Sequence, residues 1–150
     1  MLSKEEIALL ITYAQEARTN AFAIKSQHTI GACILTTDNS YYPGCNVENS
    51  IAGLGVCAER AAMDHAVVHG KYEFKALAVV DEVAEYPCGA CLQYLEVFAQ
   101  ITQSNIAIII ADTKGEYQLT SLQELLPHAY KTGRKFNFQP QILLSYRNKK

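Results

Sequence analysis

The chain has 150 residues, of which 49% are hydrophobic and 19% are charged, and it carries a net charge of −2 at pH 7. These values indicate one globular domain with a buried core. They argue against nucleic acid binding, which needs clustered Lys and Arg. No apolar run reaches the length of a membrane span. The N-terminus lacks the apolar region of a signal peptide, so we expect a cytoplasmic protein.

The first half of the chain predicts a helix, a hairpin and a polar loop. Ser3 and Glu6 form a capping-box pattern, and apolar residues at helical spacing extend the predicted helix over residues 3–21. Two apolar stretches on either side of a Thr-Asp-Asn-Ser turn predict a β-hairpin over residues 30–45. Residues 46–56 are polar and contain two glycines, which predicts a loop.

The second half alternates helices and strands, and this alternation predicts a mixed sheet in a layered α/β domain. The domain is expected to cover residues 1–130. The basic residues 131–150 are expected to form a C-terminal extension that packs on the same domain or on a neighbouring subunit. The predicted elements are helices over residues 57–69 and 88–99, buried strands over 74–80 and 106–111, an edge strand over 117–120, and a short helix over 121–126.

Five cysteines are present, an odd number that argues against a disulfide framework in a chain without a secretion signal. Cys33 and Cys45 lie in predicted strands and are expected in the core. The other three lie at the starts of predicted helices: Cys57, Cys88 and Cys91.

These three cysteines have the pattern of a metal site. The spacing of Cys88 and Cys91 places both sulfurs on one helix face, and helix N-termini favour thiolates. Zinc takes four ligands, so three thiolates leave one position for water, which is typical of a catalytic site. A Cys-x-x-Cys pair alone also suits a redox pair or half of a structural zinc site. Neither alternative requires the Cys57-x-Glu59 pattern.

Glu59 and Arg60 lie on the same predicted helix as Cys57. Glu59 is too close to Cys57 to be a comfortable fourth ligand, but its carboxylate can exchange protons with a water on the metal. Three thiolates on one divalent cation leave a net negative charge, which weakens water activation unless neighbours neutralise the sulfurs. Arg60 is placed to donate to a ligand sulfur. The residues alone therefore predict an open zinc site with a proton carrier.

The order Cys-x-Glu followed by Pro-Cys-x-x-Cys matches the three-cysteine form of the zinc deaminase signature. The wider sequence resembles the cytidine deaminases of pyrimidine salvage, which are small, homotetrameric and zinc-dependent. The resemblance covers most of residues 3–130. It rests on four stretches: Gly44-Cys45-Asn46-Val47-Glu48-Asn49, Val56-Cys57-Ala58-Glu59-Arg60, Pro87-Cys88-Gly89-Ala90-Cys91-Leu92-Gln93 and Glu124-Leu125-Leu126-Pro127.

The resemblance implies a fold and a metal centre. The implied fold is the three-layer α-β-α arrangement of cytidine deaminases, with a five-stranded mixed sheet. One Zn²⁺ per chain would be held by Cys57, Cys88 and Cys91, with Glu59 as the proton shuttle and Arg60 beside the sulfurs.

The resemblance also implies the substrate and the reaction. Asn46 and Glu48 match the ribose-binding pair of the family, and Ala58 and His28 match positions that contact the substrate. The implied reaction is hydrolytic deamination of cytidine or 2′-deoxycytidine to uridine or 2′-deoxyuridine, with release of ammonia. Water activated by zinc attacks C4 while Glu59 carries protons to N3 and then to the amino group. A site that grips only the 3′-hydroxyl is expected to accept both sugars.

Several pocket positions depart from the family pattern. His28 stands where an aromatic residue usually packs on the pyrimidine, and Ala52 lies in the stretch where a Tyr is usual. Leu92 replaces a usual Arg, and Tyr130 follows Leu126-Pro127 where a Phe is usual. We hypothesise a roomier or more polar base pocket that tolerates substituents on the base.

The implied partners are a nucleoside substrate and further copies of the chain in a homotetramer, without nucleic acid or membrane. Neighbouring subunits complete each pocket in this family, which would place Ala52 and Tyr130 at subunit boundaries. The alternatives are a deaminase or amidohydrolase of N4-substituted or blasticidin-like cytidines, and a zinc-binding protein without catalysis. Glu59 argues against the last, because a structural zinc site needs no acid beside an open metal position. The net negative charge of the chain argues against a deaminase that edits nucleic acids.

Overall fold

The structure, a computed structural model, describes residues 1–131 and 140–147. The predicted elements appear in the predicted order, followed by one helix within the C-terminal extension. The helices are α1 (Lys4–Arg18), α2 (Ala58–Val68), α3 (Gly89–Thr102), α4 (Leu122–Leu125) and α5 (Pro140–Ser145), and the strands are β1 (Gly31–Thr36), β2 (Tyr41–Cys45), β3 (Phe74–Asp81), β4 (Ala107–Asp112) and β5 (Tyr117–Ser121).

The capping box at the start of α1 is present, with Ser3 and Glu6 bonding to each other's backbone N–H. The helix ends at Arg18 instead of continuing to residue 21 as predicted. The N–H groups of Asn20 and Ala21 bond to carbonyls three residues back, at 3.0 and 3.1 Å, so the chain leaves the α-helix in a tighter turn.

The five strands form one mixed sheet in the order β2-β1-β3-β4-β5. Only β3 and β4 pair in parallel; the other neighbours are antiparallel. In β1, Cys33 and Leu35 pack in the cluster beneath α1, whereas Ala32 and Ile34 pack with α2 and α3 on the opposite face. Helices therefore cover both faces, which confirms the three-layer α-β-α fold and explains why every residue of β1 is buried.

Gly44 brings the backbone of α2 close to β2. A Cβ at this position would lie 2.3 Å from the backbone nitrogen of Ala62 and 2.8 Å from the carbonyl oxygen of Ala58. No side chain fits in that space, so glycine is required for this contact. The contact fixes where α2 begins, and Cys57 is its N-terminal cap residue.

Cys33 is fully buried, as predicted, whereas Cys45 is only half-buried. Of the predicted extension 131–150, the structure describes residues 131 and 140–147; residues 132–139 and 148–150 lie outside the described part. Tyr146 packs against the core with its ring 4.9 Å from that of Tyr72, and Arg147 Nη1 donates to Gln103 Oε1 at 2.6 Å. No helix within residues 1–131 and 140–147 is long and apolar enough to cross a membrane.

Candidate metal centre

Three sulfur atoms converge where α2 and α3 begin. Cys57 is the N-cap of α2, Cys88 is the N-cap of α3, and Cys91 lies in the first turn of α3. Their Sγ atoms all lie within 4.8 Å of one another, and those of Cys88 and Cys91 are 3.5 Å apart. The fold thus brings together the three cysteines that the sequence singled out.

The arrangement fits zinc. Zn–S bonds of about 2.3 Å separate two tetrahedral sulfur ligands by about 3.8 Å, which is close to the spacing of these thiols. Within the described chain neither Cys57 nor Cys88 uses its side chain to cap its helix, so both sulfurs remain available as ligands. Cys91 is buried and Cys88 is exposed, so one side of the cluster faces solvent and is open to water or substrate.

The thiols differ in how easily they ionise. Burial raises the pKa of Cys57 and of Cys91, and the nearby charge of Glu59 raises both further. Burial also acts to raise the pKa of Cys88, but the backbone N–H groups of Cys91 and Ala90 hold it below its usual range. A divalent cation must therefore displace the protons of Cys57 and Cys91 as it binds.

Glu59 is the acidic residue of the first turn of α2. It is only 4% exposed, and this burial raises the pKa of its carboxyl group. A carboxyl group with a raised pKa holds a proton more readily than a free one and can still release it, which suits a general acid–base catalyst.

Arg60 follows Glu59 and lies against the sulfur cluster. Its Nη2 donates to the carbonyl oxygen of Gly55 at 3.2 Å. Its Nε is buried and has no hydrogen-bond partner among the described residues. Burial acts to lower the pKa of Arg60, but Cys57 and then Cys91 outweigh this and raise it. The guanidinium group of Arg60 therefore lies within reach of both sulfurs.

Asn46 and Glu48 hold the segment that precedes β1. Asn46 is 8% exposed; its Oδ1 accepts from the N–H of Ile30 and its Nδ2 donates to the carbonyl of His28, both at 2.9 Å. The backbone N–H groups of Lys25 and Ser26 donate to Glu48 Oε2 at 2.6 and 3.1 Å.

The Ser26 hydroxyl also donates to Glu48 and, first among several hydrogen bonds, lowers the pKa of this carboxyl group. Sequence reasoning missed these partners of Glu48, because nothing local links residues 25–26 to residue 48. Between Asn46 and Glu48, Val47 forms backbone bridges to Phe22 and to Val56, the residue before Cys57. These bridges tie the segment to the metal centre.

His28 is half-buried, and its Nε2 lies 3.3 Å from Asp81 Oδ2 and 3.8 Å from Glu85 Oε2. The sequence analysis did not single out these two acids. The available signal was Asp81, a charged residue that follows five consecutive apolar residues at the end of β3.

The remaining predicted positions are spread over the molecule. Ala58 is fully buried at the start of α2, and Leu92 is buried in the core between α3 and the sheet, so its side chain serves packing. Ala52 is exposed. Tyr130 is also exposed, and Gln93 holds its backbone through two hydrogen bonds of 2.8 and 2.9 Å. The structure of one chain does not bring Ala52 or Tyr130 into the sulfur cluster.

Known proteins are similar to this chain in sequence and in fold. Residues 4–108 match the family model described as the cytidine and deoxycytidylate deaminase zinc-binding region. A cytidine deaminase from Sporosarcina psychrophila is 38% identical over 127 residues, which cover 83% of this chain and 91% of that protein. One from Halalkalibacterium halodurans is 36% identical over 124 residues, covering 81% and 92%. A crystal structure of cytidine deaminase from Burkholderia pseudomallei matches with a TM-score of 0.76 and 34% identity, over 86% of this chain and 100% of that one.

Proposed function

We propose a function from the premise that this chain belongs to the cytidine and deoxycytidylate deaminase zinc-binding family. It is a zinc-dependent cytidine deaminase, which hydrolyses cytidine and 2′-deoxycytidine to uridine and 2′-deoxyuridine and releases ammonia. The observation that carries this conclusion is the convergence of three thiols beside the buried carboxyl group of Glu59.

Cys57, Cys88 and Cys91 would hold one Zn²⁺ per chain, and zinc when bound supplies a Lewis acid that makes water a nucleophile at neutral pH. Glu59 would accept a proton from the attacking water and deliver it to N3 of the base. It would then move the proton of the new C4 hydroxyl group to the amino group, which leaves as ammonia while the oxygen stays on C4 as the carbonyl of uridine. Because burial raises the pKa of Glu59, its carboxyl group can serve as acid and as base within one turnover.

Arg60 supports this chemistry by electrostatics. Its unpartnered Nε provides a positively charged donor for the ligand sulfurs. A hydrogen bond to a thiolate withdraws charge from the metal and restores its ability to activate water. Arg60 is therefore a positioning residue that acts through Cys57 and Cys91.

Asn46 and Glu48 are the residues we assign to the sugar. Asn46 Nδ2 uses one of its two hydrogens on His28, so the other can still bond to a ribose 3′-hydroxyl. The oxygens of Glu48 already accept from the backbone N–H groups of Lys25 and Ser26 and from the Ser26 hydroxyl, so a sugar hydroxyl would bond to Glu48 in place of one of these donors. Ala58 lies in the first turn of α2, where backbone N–H groups lack intrahelical acceptors, and we assign it to the carbonyl oxygen of the base. His28 would offer its ring to the pyrimidine.

We further propose a homotetramer that works in cytoplasmic pyrimidine salvage. The support is a set of exposed apolar side chains on the loops near Val47, the residue that bridges to the segment before Cys57: Phe22, Ile51 and Leu54. Where such side chains are contiguous they mark protein interfaces, and a neighbouring subunit would cover them. Ala52 and Tyr130, both exposed, would lie at the subunit boundaries. Light scattering during size-exclusion chromatography tests this; a monomer at micromolar concentration would contradict it.

The function is tested by ammonia release from a panel of substrates, with zinc quantified per chain. The panel comprises cytidine, 2′-deoxycytidine, cytosine, the nucleoside monophosphates, and N4- and C5-substituted cytidines. We expect turnover of both nucleosides and, because His28 replaces an aromatic residue, of some base-substituted analogues. A zinc-loaded protein that releases no ammonia from any member would overturn the function. Strict preference for the unsubstituted nucleosides would overturn only the hypothesis of a roomier or more polar base pocket.

A further inference from the structure

We propose that His28, Asp81 and Glu85 form a second divalent-cation site, separate from the three-cysteine centre. One nitrogen and two carboxylate oxygens, His28 Nε2, Asp81 Oδ2 and Glu85 Oε2, all lie within 4.8 Å of one another. They come from the segment before β1, the last residue of β3 and the loop after it. None of them is one of the proposed ligands of the cysteine centre.

Asp81 supplies the first argument. Its side chain is 1% exposed. Its Oδ1 accepts from the backbone N–H groups of Val83 and Glu85 at 2.9 and 3.1 Å, which orients the carboxylate. Its Oδ2 is buried and has no hydrogen-bond partner among the described residues. A buried carboxylate oxygen without a donor is costly, and a bound cation removes that cost.

His28 supplies the second argument. Its Nε2 is also buried and has no hydrogen-bond partner in the described chain, although Asp81 Oδ2 is 3.3 Å away and Glu85 Oε2 is 3.8 Å away. Metal–ligand bonds of about 2.0–2.2 Å separate tetrahedral nitrogen and oxygen ligands by about 3.3–3.6 Å. The 3.3 Å distance to Asp81 suits ligands of a common ion, and the 3.8 Å distance to Glu85 Oε2 is too long for a direct hydrogen bond.

Two hydrogen bonds fix the backbone of His28. Its N–H donates to the Ser26 hydroxyl at 3.0 Å and its carbonyl accepts from Asn46 Nδ2 at 2.9 Å. The imidazole therefore stands on a fixed backbone, which makes the ligand set preorganised. Ligation uses the ring edge at Nε2 and leaves the ring face for the base, so both roles assigned to His28 are compatible.

The local charge supplies the third argument. A neutral imidazole and two carboxylates leave two negative charges, which one divalent cation balances. The nearby Arg18 is already committed, since it pairs with Glu82 at 3.0 Å and donates to the carbonyl of Thr29 at 2.8 Å. Within residues 1–131 and 140–147, no Lys or Arg forms an ion pair with Asp81 or Glu85.

The donor set indicates which cations fit. One imidazole nitrogen with two carboxylate oxygens suits borderline ions such as Zn²⁺, Co²⁺ and Ni²⁺, whereas Mg²⁺ and Ca²⁺ prefer oxygen alone. The Glu85 side chain is 66% exposed, so the site opens to solvent and water can complete the coordination.

The test uses full-length protein whose cysteine centre is loaded with zinc, titrated with Co²⁺ by calorimetry and optical spectroscopy. We expect one additional cobalt per chain, without the thiolate-to-cobalt charge-transfer band that a cysteine site gives. Glu85→Gln should weaken this binding at least about tenfold, because even outer-shell changes cost that much at metal sites. Because the Glu85 side chain is exposed, this substitution should not disturb folding. His28→Gln should weaken cobalt binding by a similar factor.

Glu82→Gln is the matched control, because Glu82 belongs to the same loop and its side chain is 70% exposed, but it pairs with Arg18. It should leave cobalt affinity within about twofold, as expected for one exposed charge. Three results would each overturn the proposal: no additional cobalt on the wild-type chain, cobalt that shows a thiolate band, or equal weakening by Glu82→Gln and Glu85→Gln. If the wild-type chain binds no additional cobalt, His28 and Asp81 form a simple ion pair and not a metal site.

Discussion

Replacing Glu59 with Gln removes the proton carrier and keeps nearly the same side-chain shape. Glu59 is buried beside the cysteine cluster, and an amide of almost equal volume fits the same space. Gln cannot exchange protons at neutral pH. We therefore expect ammonia release from cytidine to be lost while zinc remains bound.

The size of the loss follows from the role of Glu59. General acid–base catalysis by one side chain contributes about 10²–10⁴-fold, and each factor of ten corresponds to about 1.4 kcal/mol of transition-state free energy. Glu59 would act in two proton transfers, at N3 and at the amino group. We therefore expect the upper end of that range, a fall in kcat of about 10⁴-fold, or about 5–6 kcal/mol.

Zinc should stay because the substitution makes the thiols better ligands. Besides burial, the charge of Glu59 raises the pKa of Cys57 and of Cys91, so a neutral amide favours their thiolates. The amide also avoids the cost of a buried carboxylate, since burial raises the pKa of Glu59. The free energy of unfolding at neutral pH should therefore not fall.

The assay is steady-state ammonia release together with zinc per chain by mass spectrometry. Glu96→Gln is the matched control: Glu96 is a buried glutamate on α3 that lies near Lys131, and burial raises its pKa as well. It should keep the wild-type kcat. A Glu59→Gln enzyme that holds one zinc and turns over within about tenfold of wild type would refute the assigned role.

Three further substitutions test the framework around the site. Asn46→Ala leaves two backbone groups without their buried partner, so urea unfolding should show a loss of about 1–3 kcal/mol, and KM for cytidine should rise more than kcat falls. Gly44→Ala places a Cβ 2.3 Å from the α2 backbone, so unfolding should lose about 1–3 kcal/mol or more, and a chelator should remove zinc faster. Hydrogen bonds from Lys71 and then Thr36 lower the pKa of Asp38 to about 2. Stability from this lowered pKa is complete above the unfolded-state value of about 3.9 and is lost as the pH falls toward 2. Since both side chains of the Asp38–Lys71 pair are at least one third exposed, Asp38→Asn should cost less than about 1 kcal/mol at pH 7. The difference in urea unfolding should shrink as the pH falls through about 2 and vanish below it.

Each of these has a contrary outcome. An unchanged KM in Asn46→Ala would remove Asn46 from the sugar site. Gly89→Ala is the control for Gly44→Ala, because a Cβ there meets no heavy atom within 4 Å. It should change the unfolding free energy by less than about 0.5 kcal/mol, and equal losses in both variants would contradict the close packing of α2 on β2. A difference between Asp38→Asn and wild type that does not shrink as the pH falls through about 2 would assign the effect to something other than this ion pair.

The elements were predictable where the signal is local. The capping box of α1 and the apolar run of β4 depend on neighbouring residues alone, and both elements appear where they were predicted. The predicted end of α1 was wrong by three residues. Alanines at helical spacing continue past Arg18 in the sequence, but the α-helical backbone ends at Arg18. Cys45 was expected in the core and is half-buried, since β2 is an edge strand of the sheet.

The candidate site was predictable in its parts. The two cysteine motifs carry their chemistry in short stretches, because a helix N-terminus that favours a thiolate is a local feature. The partners of Glu48 and His28 were not predictable in this way. Lys25 and Ser26 reach Glu48, and Asp81 and Glu85 reach His28, across large sequence separations that no periodicity records.

The sequence by itself therefore determined which groups are available: three thiols, one carboxyl group beside them, and the helices that begin at those cysteines. Only the tertiary structure decided that the groups meet. The order β2-β1-β3-β4-β5 sets α2 and α3 side by side on one face of the sheet and brings the segment before β1 to the end of β3. Strand order results from the packing of the whole chain, and a metal site needs contacts of a few ångströms, which only that packing supplies.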